Sequence, residues 1–484
     1  MNQYPSLRRL GAAMAAMCLV TAVCTAGLVS CGSSVNREPS GTAAPTAPVT
    51  MPDLTDNREP TSTHDYAERV NSAFAFTPVT PSEDFTYEVG EDGVTVTGYE
   101  GGEVVLLLPD TIEGKPVVAI AAGAFAGKGT LQAISLPDSV TTVGVGALKD
   151  CNSLTTLRTP VCTSPDAPYF GALFGATTYE INASAVPLTL KTLIVTAGTS
   201  IPDYGFYDCP MEVIALPGTV AEIGDFAFYG CDSLAYLPLG HTAVETVGDW
   251  AFTNCSKLLS LDIPATAETL GFAMLEGCGA LEELALPFVG SNRAIAKMPV
   301  EDDANNTNKT EDLDGAYLGY LFGAKSYVHT AGYLPASLIR VTLHEGCSAI
   351  PPNAFFECAS IREILLPESV CSIGRRAFYG CERLASMTLP AGVTILGDDA
   401  FHGCIRLVAL TGGEGLTTLG VQVFMNCLSL ESVTLPATVT ALPNSTFAGC
   451  RSLVTLVAPG VTEIGAQVFR HCEKLTGWSE TAAE

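Results

Sequence analysis

The stretch Ile373-Gly374-Arg375-Arg376-Ala377-Phe378-Tyr379-Gly380-Cys381-Glu382-Arg383-Leu384-Ala385-Ser386-Met387-Thr388-Leu389-Pro390 contains one complete copy of the unit that repeats along this chain. Its cysteine recurs at similar intervals, at Cys151, Cys209, Cys231, Cys255, Cys278, Cys358, Cys381, Cys404, Cys427, Cys450 and Cys472. The last six are separated by 23, 23, 23, 23 and 22 residues. Such a period is typical of a solenoid, in which each repeat contacts only its neighbours. We therefore expect one long stack of turns.

Two positions before each cysteine have a constant character. A glycine lies seven residues before the cysteine in most copies, as at Gly144 and Gly397, and an apolar residue precedes it. A phenylalanine lies three residues before the cysteine, as at Phe228 and Phe401. Glycine allows a positive φ or a close approach of two backbones, and a buried ring fills the space between turns. The pattern predicts a tight turn beside a column of rings.

The segment after each cysteine predicts a short β-strand. Apolar residues alternate from Leu384 to Pro390 and from Leu430 to Pro436, and the closing proline cannot donate a hydrogen bond to a strand ladder. One strand per turn gives a parallel sheet along one face. The Ala-Phe-x-x-Cys segment predicts a tight helical or 3₁₀ turn on the other. The expected fold class is an α/β-type solenoid.

This unit resembles the leucine-rich repeat of the BspA-like family of bacterial surface proteins, whose pattern is Ile-Gly-x-x-Ala-Phe-x-x-Cys-x-x-Leu-x-x-Ile-x-Leu-Pro. The resemblance covers residues 117–475 and implies a right-handed superhelix of short parallel strands. Residues 66–116 resemble the β-rich N-terminal cap of such arrays. The Asp92-Gly93 turn, followed by apolar residues that alternate with threonine, predicts a hairpin in this cap.

Two repeats lack the cysteine. Residues 190–195 and 338–343 have the strand pattern, and counting back from them puts Pro187 and Pro335 in the position of the cysteine. The spacing from the preceding cysteines then exceeds one period in both cases. We infer that each of these repeats follows an insertion.

The insertions are placed near 159–186 and 288–334, and they are related to each other. Residues 169–176 read YFGALFGA, and residues 318–324 read LGYLFGA. We expect that a larger unit was duplicated, with one protruding loop in each copy. The remaining residues, 476–484, are predicted to form a C-terminal tail.

The N-terminal segment predicts export. Arg8 and Arg9 precede an apolar run, and Leu28-Val29-Ser30-Cys31 at its end resembles the lipobox of bacterial lipoproteins, in which the cysteine is acylated. We predict a lipoprotein signal peptide over 1–30, lipidation at Cys31 and a disordered tether over 31–65, rich in Ser, Thr and Pro. An uncleaved membrane anchor and ordinary secretion are the alternatives. Each leading interpretation puts the repeats outside the cytoplasm, at the cell envelope or surface.

Composition argues against nucleic acid as a partner. The net charge is −27, and only 24 of the 484 residues are Lys or Arg. Binding to phosphate backbones depends on clustered basic side chains. Apolar residues make up 47% of the chain and charged residues 15%, which fits a continuous repeat core.

The sequence offers little for catalysis or metal binding. Its six histidines are scattered, and no hydrolase or phosphate-loop motif is present. The repeat cysteines are expected to be buried thiols, so any disulfide would involve Cys162, Cys347 or Cys371. Asp312 and Asp314 are weak candidates for a calcium site. We therefore predict no enzyme, no cofactor and no metal.

A binding surface is expected on the outward strand positions, such as Thr156, Ser260 and Glu363, and on the insertions. The insertions are richer in the aromatic residues that dominate protein interfaces: Tyr169, Phe170, Phe174, Tyr179, Tyr317, Tyr320, Phe322, Tyr327 and Tyr333. The alternative is that these side chains pack each loop onto the solenoid.

The resulting hypothesis is a lipid-anchored, non-catalytic binding module at the cell surface. The family resemblance implies adhesion to extracellular proteins or glycans of a host or of other microbes. The alternative is a structural envelope protein that self-associates or contacts wall polymer.

Overall fold

Short parallel strands recur in every regular repeat of the computed structural model, which describes residue 74 and residues 77–164, 167–296 and 315–479. The sequence predicted one strand per repeat, and the structure adds a second, two-residue strand. The predicted signal peptide, Cys31 and the tether lie outside the described residues. Asp312 and Asp314 also lie outside them. The leucine-rich repeat solenoid predicted from the sequence is confirmed.

The strands are short, and most contain two to four residues. In chain order they are β1 (Phe85–Val89), β2 (Val94–Tyr99), β3 (Val105–Leu107), β4 (Thr111–Ile112), β5 (Lys115–Ile120), β6 (Ala133–Ser135), β7 (Thr142–Val143), β8 (Thr156–Thr159), β9 (Thr192–Val195), β10 (Ser200–Ile201), β11 (Val213–Ala215), β12 (Glu222–Ile223), β13 (Thr246–Val247), β14 (Ser260–Asp262), β15 (Thr269–Leu270), β16 (Glu283–Leu286), β17 (Arg340–Leu343), β18 (Ala349–Ile350), β19 (Glu363–Leu365), β20 (Ser372–Ile373), β21 (Ser386–Leu389), β22 (Ile395–Leu396), β23 (Ala409–Gly412), β24 (Thr418–Leu419), β25 (Ser432–Thr434), β26 (Ala441–Leu442), β27 (Thr455–Val457), β28 (Glu463–Ile464) and β29 (Gly477–Ser479).

Helical segments are few and short. The α-helical ones are α1 (Asn182–Ala185) and α2 (Arg293–Ala296). The 3₁₀ segments are Ser82–Asp84, Phe170–Phe174, Tyr179–Ile181, Leu318–Phe322 and Tyr327–Gly332. Most of them lie in the two insertions, so the regular repeats are built from strands and turns.

The N-terminal cap is the predicted hairpin joined to the first turns. Strands β1 and β2 pair antiparallel, with Phe85 opposite Tyr99, and β2 pairs parallel with β5. Strand β5 then pairs parallel with β7, which belongs to the regular stack. The cap therefore covers the first turn and leaves no gap in the hydrogen bonding.

Each regular turn contributes to two parallel sheets. The front sheet contains the strands that follow the cysteine, for example β21, β23, β25, β27 and β29. The side sheet contains the two-residue strands that precede the glycine, for example β18, β20, β22 and β24. The front sheet continues to Ser479, so the first residues of the predicted C-terminal tail belong to the solenoid.

The third side of each turn, from the glycine to the cysteine, is called the turn face. It consists of successive i to i+3 hydrogen bonds, such as those from the amides of Ala377, Tyr379 and Cys381 to the carbonyls three residues before them. This geometry agrees with the tight turn predicted for the Ala-Phe-x-x-Cys segment.

The core contains the predicted column of phenylalanine rings. Phe355, Phe378, Phe401, Phe424 and Phe447 are fully buried, and consecutive ring centroids lie 5.0 to 5.7 Å apart. One ring per turn fills the space between the two sheets and the turn face.

The repeat glycine is required by close approach, and its φ is not positive. A Cβ added at Gly397 would lie 2.5 Å from the amide nitrogen of Arg375 in the preceding turn, and one at Gly144 would lie 2.3 Å from that of Ala122. Two backbones therefore touch at this position, which is one of the two roles predicted for it.

The two prolines predicted to replace the cysteine do so. The amide of Leu190 donates to the carbonyl of Pro187, and the amide of Leu338 donates to that of Pro335. In a regular repeat the same bond links Leu384 to the cysteine carbonyl. The position therefore accepts a proline, because it needs a carbonyl acceptor and an apolar side chain.

Candidate binding surfaces

The 3₁₀ segment of the first insertion is inlaid in the stack, which means that its backbone is hydrogen-bonded to the turns on both sides of it. Gly146 and Leu148 donate their amides to the carbonyls of Ala172 and Leu173, and the amide of Phe170 donates to the carbonyl of Gly205 in the following turn. The segment therefore takes the place of a turn face. The prediction of a protruding loop was wrong for this part, because these backbone groups continue the hydrogen bonds between neighbouring turns.

The second insertion is inlaid in the same way. The amides of Ala273 and Leu275 donate to the carbonyls of Tyr320 and Leu321, and the amide of Leu318 donates to the carbonyl of Ala354. Both 3₁₀ segments end at a glycine with a positive φ. This shared geometry supports the predicted duplication.

A buried asparagine fixes the first insertion. The Asn182 side chain accepts a hydrogen bond from the amide of Gly171 at 3.1 Å and donates one to the carbonyl of Tyr207 at 3.0 Å. It is completely buried, so both bonds are shielded from water. Asn182 ties the insertion to the next regular turn.

The aromatic residues predicted as binding candidates fall into two groups. Four are buried and pack the insertions into the core: Phe170, Phe174, Tyr317 and Phe322. Five keep accessible surface: Tyr169, Tyr179, Tyr320, Tyr327 and Tyr333. Contact with a partner stays a prediction for the second group.

Tyr179 begins a row of aromatic rings that the sequence interpretation missed. The long aromatic row consists of Tyr179, Tyr204, Phe226, Trp250 and Phe272, all half-buried on the turn face. Consecutive centroids lie 4.1, 5.0, 5.1 and 5.8 Å apart. Each ring comes from a different turn, so the row runs along the solenoid between the two insertions.

The backbone under the centre of this row is unusual. Tyr204, Phe226 and Trp250 have φ values of 57°, 56° and 54°, in the left-handed region. This conformation costs a non-glycine residue about 1–2 kcal/mol. Each of these residues lies five positions before its cysteine. Aligning the repeats on the cysteine and reading that column would have found the row.

In other turns the same column carries no aromatic side chain. It contains Gly123, Gly146, Ala273, Asn353, Arg376, Asp399, Gln422, Ser445 and Gln467. These residues share the left-handed backbone, so the turn forms with a small or polar residue there. The three aromatic residues are therefore an addition to the fold and are not required by it.

Carboxylates line one side of the long aromatic row. Asp203, Asp225 and Asp249 each accept a backbone amide of the following turn through one oxygen, at 2.8, 2.8 and 2.7 Å. None of the three forms an ion pair within the described residues. Burial raises the pKa of the Asp225 carboxyl, and the charges of Asp249 and Asp203 raise it further. Negative charge therefore accumulates at this edge.

A tyrosine pair, Tyr207 and Tyr229, adjoins the row and has a carboxylate, Asp208, beside it. Burial, followed by the nearby charge of Asp232, raises the pKa of the Asp208 carboxyl to about 6. The rings of Tyr207 and Tyr229 stack beside it, with centroids 5.1 Å apart. A further acidic group therefore lies near the row, beyond the tyrosine pair.

On the front sheet, by contrast, many charges are paired with each other. The Arg340 guanidinium pairs with two carboxylates on the adjacent strands. Its Nη1 lies 2.5 Å from Oε1 of Glu283, and its Nε lies 2.7 Å from Oε2 of Glu363. His344 Nε2 lies 2.8 Å from the carboxylate of Asp262. Ser260 and Glu363 are exposed as predicted, whereas Thr156 is buried. This face therefore presents a polar surface on which several carboxylates have a basic partner.

The cysteine thiols offer no reactive group in the core. In most regular turns the thiol donates to the carbonyl of the phenylalanine in the preceding turn, as from Cys404 to Phe378 at 3.2 Å. Burial raises the pKa of the thiols, to about 12 for Cys381 and Cys427. The cysteines of the described part are free thiols, including Cys162, Cys347 and the exposed Cys371.

The described residues contain no cluster of three or more His, Cys, Asp or Glu side chains arranged to hold a metal ion. They also include no helix with the length and apolarity needed to cross a membrane.

Comparison with protein families finds one that covers most of the array. The model described as "BspA type Leucine rich repeat region (6 copies)" matches residues 111–166, 199–296 and 338–476. These segments exclude most of both insertions. No curated protein sequence matches the chain.

Several solved structures are similar to this one. A leucine-rich repeat protein from Bacteroides ovatus is 22% identical, with 83% of this chain and 93% of that one covered and a TM-score of 0.36. A leucine-rich cell surface protein from Faecalibacterium prausnitzii is 16% identical, with coverages of 83% and 94% and a TM-score of 0.20. The pneumococcal vaccine antigen PcpA is 16% identical, with coverages of 84% and 90% and a TM-score of 0.26.

Proposed function

This chain belongs to the family defined by the BspA-type leucine-rich repeat, and we propose that it is a non-catalytic binding module, displayed at the cell surface, that adheres to extracellular proteins. Repeat solenoids commonly serve binding, because they offer long continuous surfaces. The family pattern accounts for the core, so the function depends on what the surface adds to it.

The observation that carries the proposal is the long aromatic row. Tyr and Trp are enriched among the residues that dominate binding energies at protein interfaces. Here they are half-exposed, arranged in line, and placed where the turn needs no aromatic side chain. The inlaid insertions hold both ends of the row. Tyr179 stacks on Tyr204 at one end, and at the other the ring centroids of Tyr320 and Phe272 lie 5.3 Å apart. A rigid site loses little conformational entropy on binding.

Attachment through a lipid on Cys31 is part of the proposal. The lipobox-like sequence ends the apolar run, and the Ser-, Thr- and Pro-rich stretch that follows would hold the solenoid away from the membrane. The competing idea of a self-associating envelope protein is disfavoured by the net charge of −27, because like charges repel.

The test compares cells that display the full chain with cells that lack it, on surfaces coated with extracellular-matrix proteins and on partner cells. We expect saturable adhesion that depends on the chain. The Cys31→Ala variant should lose the incorporation of radioactive palmitate that the parent shows, because the acylated residue is absent. Equal adhesion with and without the chain would refute the binding role. Equal palmitate labelling of the variant and the parent would refute only the lipid anchor.

A further inference from the structure

We propose that the long aromatic row is the docking site for a cationic polypeptide segment of the partner, one in which Lys or Arg adjoins apolar side chains. The inference deepens the proposed function, because it assigns a ligand chemistry to the surface on which that function rests.

The fold gives no reason for the row. Asn353 and Gln422 take the same left-handed backbone at the same position of other turns, and asparagine adopts it more readily than an aromatic residue does. Three successive turns nevertheless carry Tyr204, Phe226 and Trp250 there. The left-handed backbone belongs to every regular turn, so the aromatic side chains at this position are what the fold does not require, and residues held in such strained conformations cluster at functional sites.

The arrangement of the rings selects among ligands. Interplanar angles are 25° between Tyr179 and Tyr204, 3° between Tyr204 and Phe226, and 11° between Phe226 and Trp250. Each inner ring therefore covers the face of its neighbour, and the accessible part is a strip of ring edges. Sugars and isolated cations bind best over open ring faces. The strip instead suits aliphatic side chains laid along it.

Charge defines the rest of the ligand. From Thr159 to Asn292 the sequence has two basic residues, Lys191 and Lys257, against fifteen Asp and Glu. Lys191 is paired with Glu212, so it does not neutralise the row. Lys and Arg side chains bury their aliphatic stems on apolar surface and keep the charged head in a polar environment. Their stems fit the ring edges, and their heads can reach the carboxylates of Asp203, Asp225 and Asp249 beside the row.

A second copy of this chain fits the row poorly. Its own surface is strongly acidic, and bringing two acidic rims together is opposed by repulsion. The segment from 159 to 292 also lacks the basic stretch that the row requires. The occupant is therefore expected on a different, cationic protein.

The test uses the full chain in a mild detergent, with Trp478→Phe as background, so that Trp250 is the remaining tryptophan. The probe is a synthetic peptide of repeating Lys-Leu-Gly-Gly units. We expect a saturable change in Trp250 emission that weakens with added salt. Replacing Lys by Glu in the probe, or Leu by Ser, should lower its affinity by about tenfold or more. Binding without any change in Trp250 emission would place the probe elsewhere and overturn the inference.

A matched pair of triple variants tests the residues. The row variant combines Tyr204→Asn, Phe226→Asn and Trp250→Asn, and the control combines Gln422→Asn, Ser445→Asn and Gln467→Asn in the same left-handed column. Calorimetry should show about tenfold or greater loss of probe affinity for the row variant and none for the control. If the row variant does not fold, the Trp250 emission titration of the Trp478→Phe chain still tests whether the peptide binds at the row.

Further outcomes separate the alternatives. A saturable emission change with cellohexaose but not with the Lys peptide would replace the inference by glycan binding. Self-association of the parent chain that the row variant abolishes would replace it by a contact between copies. If the parent adheres to matrix proteins and the row variant adheres equally well, this inference fails and the proposed function stands. If the parent binds the peptide through Trp250 but adheres to nothing, the adhesion role fails and the row's chemistry stands.

Discussion

At the scale of single residues, the repeat cysteine is a packing and hydrogen-bonding residue. The Cys404 thiol points to the carbonyl of Phe378, which also accepts the amide of Cys381. The thiol bond is thus the second one to that carbonyl. This explains why Pro187 and Pro335, which have no donor, can stand in the same position.

Replacing a repeat cysteine should therefore cost mainly packing. We expect Cys404→Ala to lower the free energy of unfolding by about 1–2 kcal/mol, because it opens a small cavity and removes the weak thiol bond. Urea titration followed by circular dichroism measures the change. Cys371→Ala, which alters an exposed thiol, is the control and should stay within about 0.5 kcal/mol of the parent. Equal loss in both variants would contradict this view of the core.

At the scale of the repeat, the sequence defined the strand, the turn and the ring column. The strand follows from period-2 apolar residues, and burial of Phe378 and Phe401 follows from their recurrence. The left-handed position five residues before the cysteine was not predictable in this way. Its residues vary from Gly146 to Trp250, and a backbone conformation that tolerates such variety leaves no composition signal.

The glycine seven residues before the cysteine tests the contact between turns. We expect Gly397→Ala to destabilise the chain by about 1–3 kcal/mol, because its Cβ would lie 2.5 Å from the Arg375 nitrogen and the turns would have to separate. Gly102→Ala is a matched control, since an added Cβ there meets nothing within 4 Å. The midpoint of urea unfolding should fall for the first variant only. A parent-like midpoint for Gly397→Ala would show that the turns can separate at little cost.

At the scale of the whole molecule, the hydrogen bonds between turns continue through both insertions. The insertions were located in the sequence because the spacing from the preceding cysteine exceeds one repeat and because their motifs are related. The sequence could not show that they were inlaid, because that depends on hydrogen bonds with other turns, such as those from Gly146 to Ala172 and from Phe170 to Gly205. The binding candidates were placed on the insertions for their aromatic content. The long aromatic row instead continues from Tyr179 across the regular turns.

The stacked thiols should make the whole solenoid sensitive to alkali. A thiol in an unfolded chain titrates near about pH 8.5, whereas burial raises the pKa to about 11 for Cys151 and about 12 for Cys427. Above about pH 8.5 the unfolded state therefore loses protons that the folded state keeps. The contribution of the thiols to stability is constant below that pH and falls as the pH rises towards the folded-state values, by about 1.4 kcal/mol per pH unit for each buried thiol.

Urea titrations under reducing conditions at about pH 8, about pH 9 and about pH 10 measure this fall. The decrease between about pH 9 and about pH 10 should exceed about 10 kcal/mol, because the twelve buried thiols of the described residues contribute together. In the Cys381→Ala variant, the free energy of unfolding should fall less steeply with pH, by the contribution of one thiol. A free energy of unfolding that does not change over this range would contradict the assignment of the repeat cysteines as buried thiols.

The left-handed column on the turn face has an evolutionary consequence. Because glycine, polar and aromatic residues occupy it with the same backbone, mutation there changes what the protein presents without disturbing the strands or the core. Selection for a new partner and selection for a stable fold then act on different positions of the same repeat. A lineage that duplicates such repeats gains one independently variable recognition site with every copy.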